Sequence, residues 1–271
     1  MPGIMNASFV KMHGCGNDFV IVDERSGGWT VPAERIPLFA DRHIGIGCDQ
    51  FIQIEPSSRG DAFMRIRNPD GGEAGACGNA TRCVAEILMR ETGRKTIVIE
   101  TISGLLPSLR RPDGLIEVDM GPAKLEWRDV PLSRPADTLR LDLDGEPAAA
   151  SMGNPHATFF VDDLDATPVT HLGPRFEHDP IFPERANIGF AQIMDAGTLR
   201  LKVWERGAGL TLACGSGACA TLVNAHRRGL TGRRARVIVD GGELDITWRD
   251  DGHVLMAGPT ATVFAGQVAL P

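Results

Sequence analysis

The sequence has 271 residues, enough for one large or two modest domains, and its 42% hydrophobic and 23% charged residues are those of an ordinary globular protein. A formal net charge of −7, with no run of Lys or Arg longer than two, argues against nucleic acid or an anionic membrane surface as partner. The opening residues lack a basic start followed by an apolar stretch, and no segment approaches ~18 consecutive apolar residues, so a cytoplasmic protein acting on a small molecule is expected.

In chain order, the first strong helix signal runs from Asn79 to about Glu91, with Gly93 as its stop. It is entered through the glycine-rich turn that carries Cys77. β-Branched runs at 97–101 (IVIET) and 116–120 (IEVDM) then predict strands. From Gly121 to about Pro135 there are three prolines and no steady periodicity, as suits a crossing between halves. A second helix is expected from Ser216 to about Arg228, stopped by Gly229 and entered through the turn that carries Cys214. Strands are expected again at 237–240 (VIVD) and 254–257 (VLMA). The last segment, ATVFAGQVAL, at about 262–271, is expected to return to the first half as a strand.

The order repeats because the chain is duplicated. EAGACGNATRCVAEILMRETG and LTLACGSGACATLVNAHRRG share Ala-Cys-Gly, small residues, a second Cys and an apolar run; Cys77 and Cys214 lie 137 positions apart, as do Gly121-Pro122 and Gly258-Pro259. About half the chain length separates them, so two copies of one fold are expected, residues 1–121 and 122–261. Related by a pseudo-twofold, the two cysteines are expected to face each other across an interdomain cleft.

Each of these cysteines sits where a glycine-rich turn enters a helix, facing unpaired N–H groups and the positive end of the helix dipole, which favours a thiolate. Inverting a carbon requires removing a proton from one face and delivering one to the other, and a thiolate with a thiol meets that need. The amides of Gly78, Asn79, Gly215 and Ser216 are positioned by sequence to hold a carboxylate and the charge spreading into it. The competing reading of a single cysteine before a helix is a small buried residue. Duplication weighs against it here, whereas Cys83 and Cys219, further along the helices, read as core, and Cys15 and Cys48 as structural. No cofactor or metal is expected: there is no Cys-x-x-Cys pair, Gly45-Ile46-Gly47 lacks the third glycine of a dinucleotide loop, and no glycine-rich loop has a phosphate-binding Lys.

Six blocks, KMHGCGNDFVIVD (11–23), GIGCDQ (45–50), RIRNPDGGEAGACGNATRC (65–83), GNPHATFFV (153–161), ANIGFAQI (186–193) and WERGAGLTLACGSGACA (204–220), together resemble the diaminopimelate epimerase family. The resemblance implies an α/β fold of two pseudo-symmetric domains, each a barrel-like mixed sheet around a central helix, with the active site in the interdomain cleft. It implies a homodimeric enzyme that interconverts LL- and meso-diaminopimelate without a cofactor, for lysine and peptidoglycan synthesis. By motif, Cys77 and Cys214 are the acid/base pair; Asn17, Gln50, Asn68, Asn154 and Asn187 match substrate-binding amides; Glu205 and Arg206 match charged contacts; Gly78-Asn79 and Gly215-Ser216 match carboxylate sites; and His156 and Glu205 match groups that adjust the cysteine pKa values. Such a substrate, with an amino-acid group at each end, needs amides of both polarities and an Arg for the remote carboxylate, for which Arg206 is the choice. Ala76, Asn79-Ala80-Thr81-Arg82 and Leu210 depart from the common family pattern around the cysteines.

Two other readings remain at this level. A proline or hydroxyproline racemase shares the paired acid/base positions but recognises a ring without a second amino-acid group. A thiol redox switch or a binding module on an enzyme fold would also use facing thiols, which oxidation would join as a disulfide.

Overall fold

The computed structural model describes residues 5–27 and 29–270. They divide into two compact units, one made of the residues up to Val118 together with those from Pro259 onward, the other of Asp119–Gly258. The first unit opens with the antiparallel hairpin β1 (Met5–Gly14) and β2 (Asn17–Asp23). Cys15 (φ 53°) and Gly16 (φ 80°) form its two-residue tip, a left-handed pair whose twist matches that of the flanking strands. The short helix α1 (Ile36–Ala40) leads to β3 (Gln50–Glu55), which lies parallel to β2, and β4 (Ala62–Arg67) returns antiparallel to β3. The two-residue strand β5 (Glu73–Ala74) precedes helix α2 (Gly78–Thr92). After the helix, β6 (Thr96–Thr101) pairs parallel with β4, and β7 (Gly104–Arg110) and β8 (Ile116–Pro122) follow as antiparallel neighbours.

The second unit repeats this order pairing by pairing. β9 (Ala148–Ser151) and β10 (Pro155–Phe160) are antiparallel; α3 (Val169–Glu177) leads to β11 (Asn187–Asp195), parallel to β10; and β12 (Thr198–Glu205) returns antiparallel. β13 (Gly209–Thr211) precedes helix α4 (Gly215–Arg227), after which β14 (Arg234–Val239) is parallel to β12, with β15 (Gly242–Trp248) and β16 (His253–Gly258) antiparallel in turn. The chain then re-enters the first unit as β17 (Ala261–Leu270), paired antiparallel with β1 from Met5↔Leu270 to His13↔Ala261. The anticipated helices and strands lie within a few residues of their places; of the anticipated last strand, residue 271 lies outside the described residues. The stretch 123–135 contains no named strand or helix.

Each longer helix packs against the strands of its own unit. α4 packs against β9, β10, β11, β12, β14, β15 and β16, and α2 against β1, β2, β6 and β7. In α4 all residues from Gly217 to Ala225 are buried, and in α2 all from Gly78 to Glu86, so neither helix has the polar stripe of a surface helix. Small residues make this enclosure possible. Strand β9 is AAAS, every residue buried, and Asn224 of α4 reaches across it to donate to Ala148 O at 3.1 Å and to Thr158 Oγ1 at 3.1 Å. Cys15, Cys48, Cys83 and Cys219 are all buried, and burial pushes Cys48 up to about 11 and Cys83 up to about 12, which makes them inert packing groups.

Because Leu222 is fully buried in the middle of α4, Leu222→Ala is expected to cost about 2–5 kcal/mol through lost transfer energy and a cavity. Urea unfolding followed by the fluorescence of Trp204 and Trp248 would register it as a lower midpoint.

Candidate active site

In both units the same secondary-structure ends carry the polar residues singled out by sequence. Asn17 opens β2, Gln50 opens the parallel strand β3, Asn68 follows the end of antiparallel β4, and Cys77 is the N-cap of α2. Asn154 immediately precedes β10, Asn187 opens β11, Glu205 ends β12, and Cys214 is the N-cap of α4. The spacing of 137 that separates the cysteines also relates Asn17 to Asn154, Gln50 to Asn187, Asn68 to Glu205 and Asn79 to Ser216. Polar residues at that offset are therefore a signal available in the sequence, and they mark one edge of each sheet beside one helix N-terminus.

In the first unit, the Cys77 backbone is extended (φ −147°, ψ 108°), and its sulfur accepts from Ala80 N at 3.5 Å. This is the geometry of an N-cap, with the weakly accepting sulfur where a hydroxyl usually sits. The Cys77 thiol also donates to Asn17 Oδ1 at 3.8 Å, and Asn79 Nδ2 donates to the same oxygen at 3.1 Å. Gln50 Nε2 donates to Asn68 Oδ1 at 3.2 Å. Asn17, Cys77 and Asn79 thus form one cluster, and Gln50 with Asn68 a second on adjacent strand ends.

Behind them lies an ion-pair network that sequence reasoning did not single out. Lys11, a buried lysine, pairs with Asp18, and Arg42 pairs with both Asp18 (2.6 Å) and Asp49 (2.7 Å). Partial burial pushes the Asp18 carboxyl up, but its bonds to Arg42 and Lys11 outweigh this and hold it at about 2. Asp18 and Asp49 flank Asn17 and Gln50 inside the NDF and CDQ motifs, which is where a signal for them lay.

In the second unit, Cys214 is buried, and its sulfur lies 3.7 Å from Ser216 Oγ. Asn154 Nδ2 donates to Ser216 Oγ at 3.3 Å, while His156 Nε2 lies 3.0 Å from that hydroxyl and 3.1 Å from Asn154 Oδ1. Asn187 Nδ2 donates to Pro155 O at 2.9 Å, and its Oδ1 accepts from Arg206 N at 2.9 Å. The Arg206 guanidinium is exposed and donates to Glu184 O at 2.9 Å. Thr211, not singled out by sequence, donates to Glu205 Oε1 at 2.5 Å from the neighbouring strand β13.

Electrostatics distinguish the members of this cluster. Burial pushes the Cys214 thiol well up, and the negative charge of Glu205 pushes it further, against the opposing bonds from Gly217 N and Ser216. The helix N-terminus alone predicts a lowered value; lost hydration and the neighbouring carboxylate overcome it. His156 is also fully buried, and burial together with the nearby Arg206 charge lowers it to about 3. Its ring is neutral near neutral pH and acts as a hydrogen-bond partner to Ser216 and Asn154. Among the described residues, no cluster of His, Cys, Asp or Glu could hold a metal ion.

A family model described as diaminopimelate epimerase matches residues 9–126 and 148–263. The chain belongs to the diaminopimelate epimerase family. It is 60% identical over 264 residues to the diaminopimelate epimerase of Acidiphilium cryptum, with 96% of this chain and 95% of that protein covered. It is 56% identical over 267 residues to that of Gluconobacter oxydans, with 98% and 100% covered. Among solved structures, a hydroxyproline epimerase from Agrobacterium vitis superposes with a TM-score of 0.70 at 16% identity, over 98% of this chain and 93% of that one. A PhzF-family protein from Enterococcus faecalis reaches 0.73 at 13% identity, over 98% and 100%. These structural likenesses establish the shared fold. The family establishes the enzyme class, an amino-acid epimerase.

Removing the Glu205 charge while keeping its shape tests the electrostatic account of Cys214. In Glu205→Gln, the pH midpoint for alkylation of Cys214, followed by peptide mass spectrometry, is expected to fall below that of the wild type. An unchanged midpoint would remove Glu205 from that account.

Proposed function

We propose that the protein epimerises diaminopimelate between its LL and meso forms, using Cys77 and Cys214 as the paired base and acid, without a cofactor. The observation that carries this reading is the recurrence of one cysteine-capped helix entry, with matching amide-bearing strand ends, in both copies of a duplicated epimerase fold. Membership of the family supports diaminopimelate as the substrate, and that reading in turn suggests a place in lysine and peptidoglycan precursor synthesis.

The reaction breaks the Cα–H bond of one stereocentre and forms a new one on the opposite face. A thiolate accepts the departing proton as the electron pair spreads into the α-carboxylate, and the second thiol then donates its proton to the carbon. Cys214 suits the donor role, since burial and Glu205 keep it protonated; the base in that direction is then Cys77, and the roles exchange on reversal. The first-turn amides of Gly78, Asn79, Gly215 and Ser216 supply aligned N–H groups for a carboxylate whose charge grows during the step. Asn17, Gln50, Asn68, Asn154 and Asn187 give a zwitterionic substrate both donors and acceptors. In this reading Arg206 turns from Glu184 O to the remote carboxylate, Glu205 accepts from an ammonium, and His156 acts on Cys214 through Ser216.

The test is exchange of the α-proton in deuterated water with diaminopimelate, proline and lysine offered separately. Exchange and inversion are expected with diaminopimelate. Exchange with proline in its place would favour the cyclic-substrate reading suggested by the hydroxyproline epimerase fold. Cys77→Ala and Cys214→Ala are each expected to lower the inversion rate by at least about 10²-fold, the scale of a lost general acid or base, with unchanged circular dichroism. Full activity in either variant would sink the two-thiol mechanism.

A further inference from the structure

The Asn17 side chain has two chemically opposite ends, and what lies on each side decides which end faces Cys77. On one side, Asn17 Nδ2 donates to Asp49 Oδ2 at 2.9 Å. On the other, Asn17 Oδ1 receives Asn79 Nδ2 at 3.1 Å and the Cys77 thiol at 3.8 Å. An ionised carboxylate only accepts hydrogen bonds. Rotating the amide by half a turn would therefore set Asn17 Oδ1 against the Asp49 carboxylate and its NH2 against the NH2 of Asn79, two repulsive contacts in place of two bonds.

Asp49 is itself held in place. Its Oδ1 accepts from Arg42 at 2.7 Å, its Oδ2 accepts from Asp18 N at 3.1 Å, and its own backbone N donates to Asp18 O and to Asp18 Oδ1, each at 3.0 Å. Arg42 is shared with Asp18, which Lys11 also engages. The ion-pair network thus ends on one side-chain amide beside the cysteine.

We propose that Asp49 is a positioning residue that fixes the polarity of the Asn17 amide, so that this site presents an acceptor, not a donor, beside Cys77. This rests on the proposed function for its substrate: a carbonyl oxygen at that place suits the ammonium of an amino acid and disfavours an anionic group. It also gives Cys77 a partner that accepts a hydrogen bond from the thiol while the site is empty and from a cation once substrate arrives.

The variants Asp49→Asn and Asp49→Glu separate this role from packing. Asparagine at 49 can donate as well as accept, so both orientations of Asn17 become accessible; glutamate remains acceptor-only. In Asp49→Asn, kcat/KM for diaminopimelate is expected to fall about tenfold, the loss of a hydrogen bond to a charged group, chiefly through KM. The Asn17 side-chain NH2 signals in a 15N-correlated NMR spectrum are expected to move from their wild-type positions. Asp49→Glu is expected to keep KM within about threefold of wild type and to retain the Asn17 signals. Equal losses in the two variants, or an Asp49→Asn protein with wild-type KM and unmoved Asn17 signals, would overturn the proposal. If wild-type protein fails to exchange diaminopimelate, the functional reading falls, and the NMR comparison still decides the role of Asp49.

Discussion

A helix buried on every side still has amide groups at its N-terminus that no earlier turn can satisfy. In both units this constraint falls at one place. Strands cover the flanks of α2 and α4, and a cysteine occupies the N-cap position at the open end of each. Sulfur accepts hydrogen bonds more weakly than the hydroxyl that usually caps a helix. The strand ends that converge there carry amides, and the short β5 and β13 bring the chain into each turn.

Duplication reproduces that geometry but not its charge. Where the first unit has neutral Asn68, the second has Glu205. Where the second has the small buried Cys219, the first has Arg82, also fully buried. One copy thus carries an extra cation inside its helix and the other an extra anion at its strand end. The two helix entries therefore share one backbone plan in unlike electrostatic surroundings.

Much of this was legible in the sequence, for physical reasons that differ by element. The two helix entries were visible because glycine, a capping residue and an apolar run must occur in that order for a buried helix to start. Strands such as β6 (TIVIET) and β14 (RARVIV) were visible through their β-branched runs. Strand β9 was not: Ala148-Ala149-Ala150-Ser151 has little intrinsic β preference, and its extended form depends on pairing with β10 and packing on α4. The amides could be placed by motif, but their pairing could not, since Gln50 and Asn68 meet only when β3 and β4 are aligned in register. The elevated Cys214 thiol was likewise out of reach: the helix dipole is a local property of the sequence, whereas burial and the approach of Glu205 are tertiary.

The pairing of β17 with β1 bears on the order in which the molecule can be built. Every residue of the second unit leaves the ribosome before β17 does, so the second unit can fold while the first still lacks a strand. Until then β1 presents an unpaired edge, the kind of surface that recruits strands from other chains. The first unit therefore completes its sheet only once the whole of the second has been synthesised and β17 can join β1.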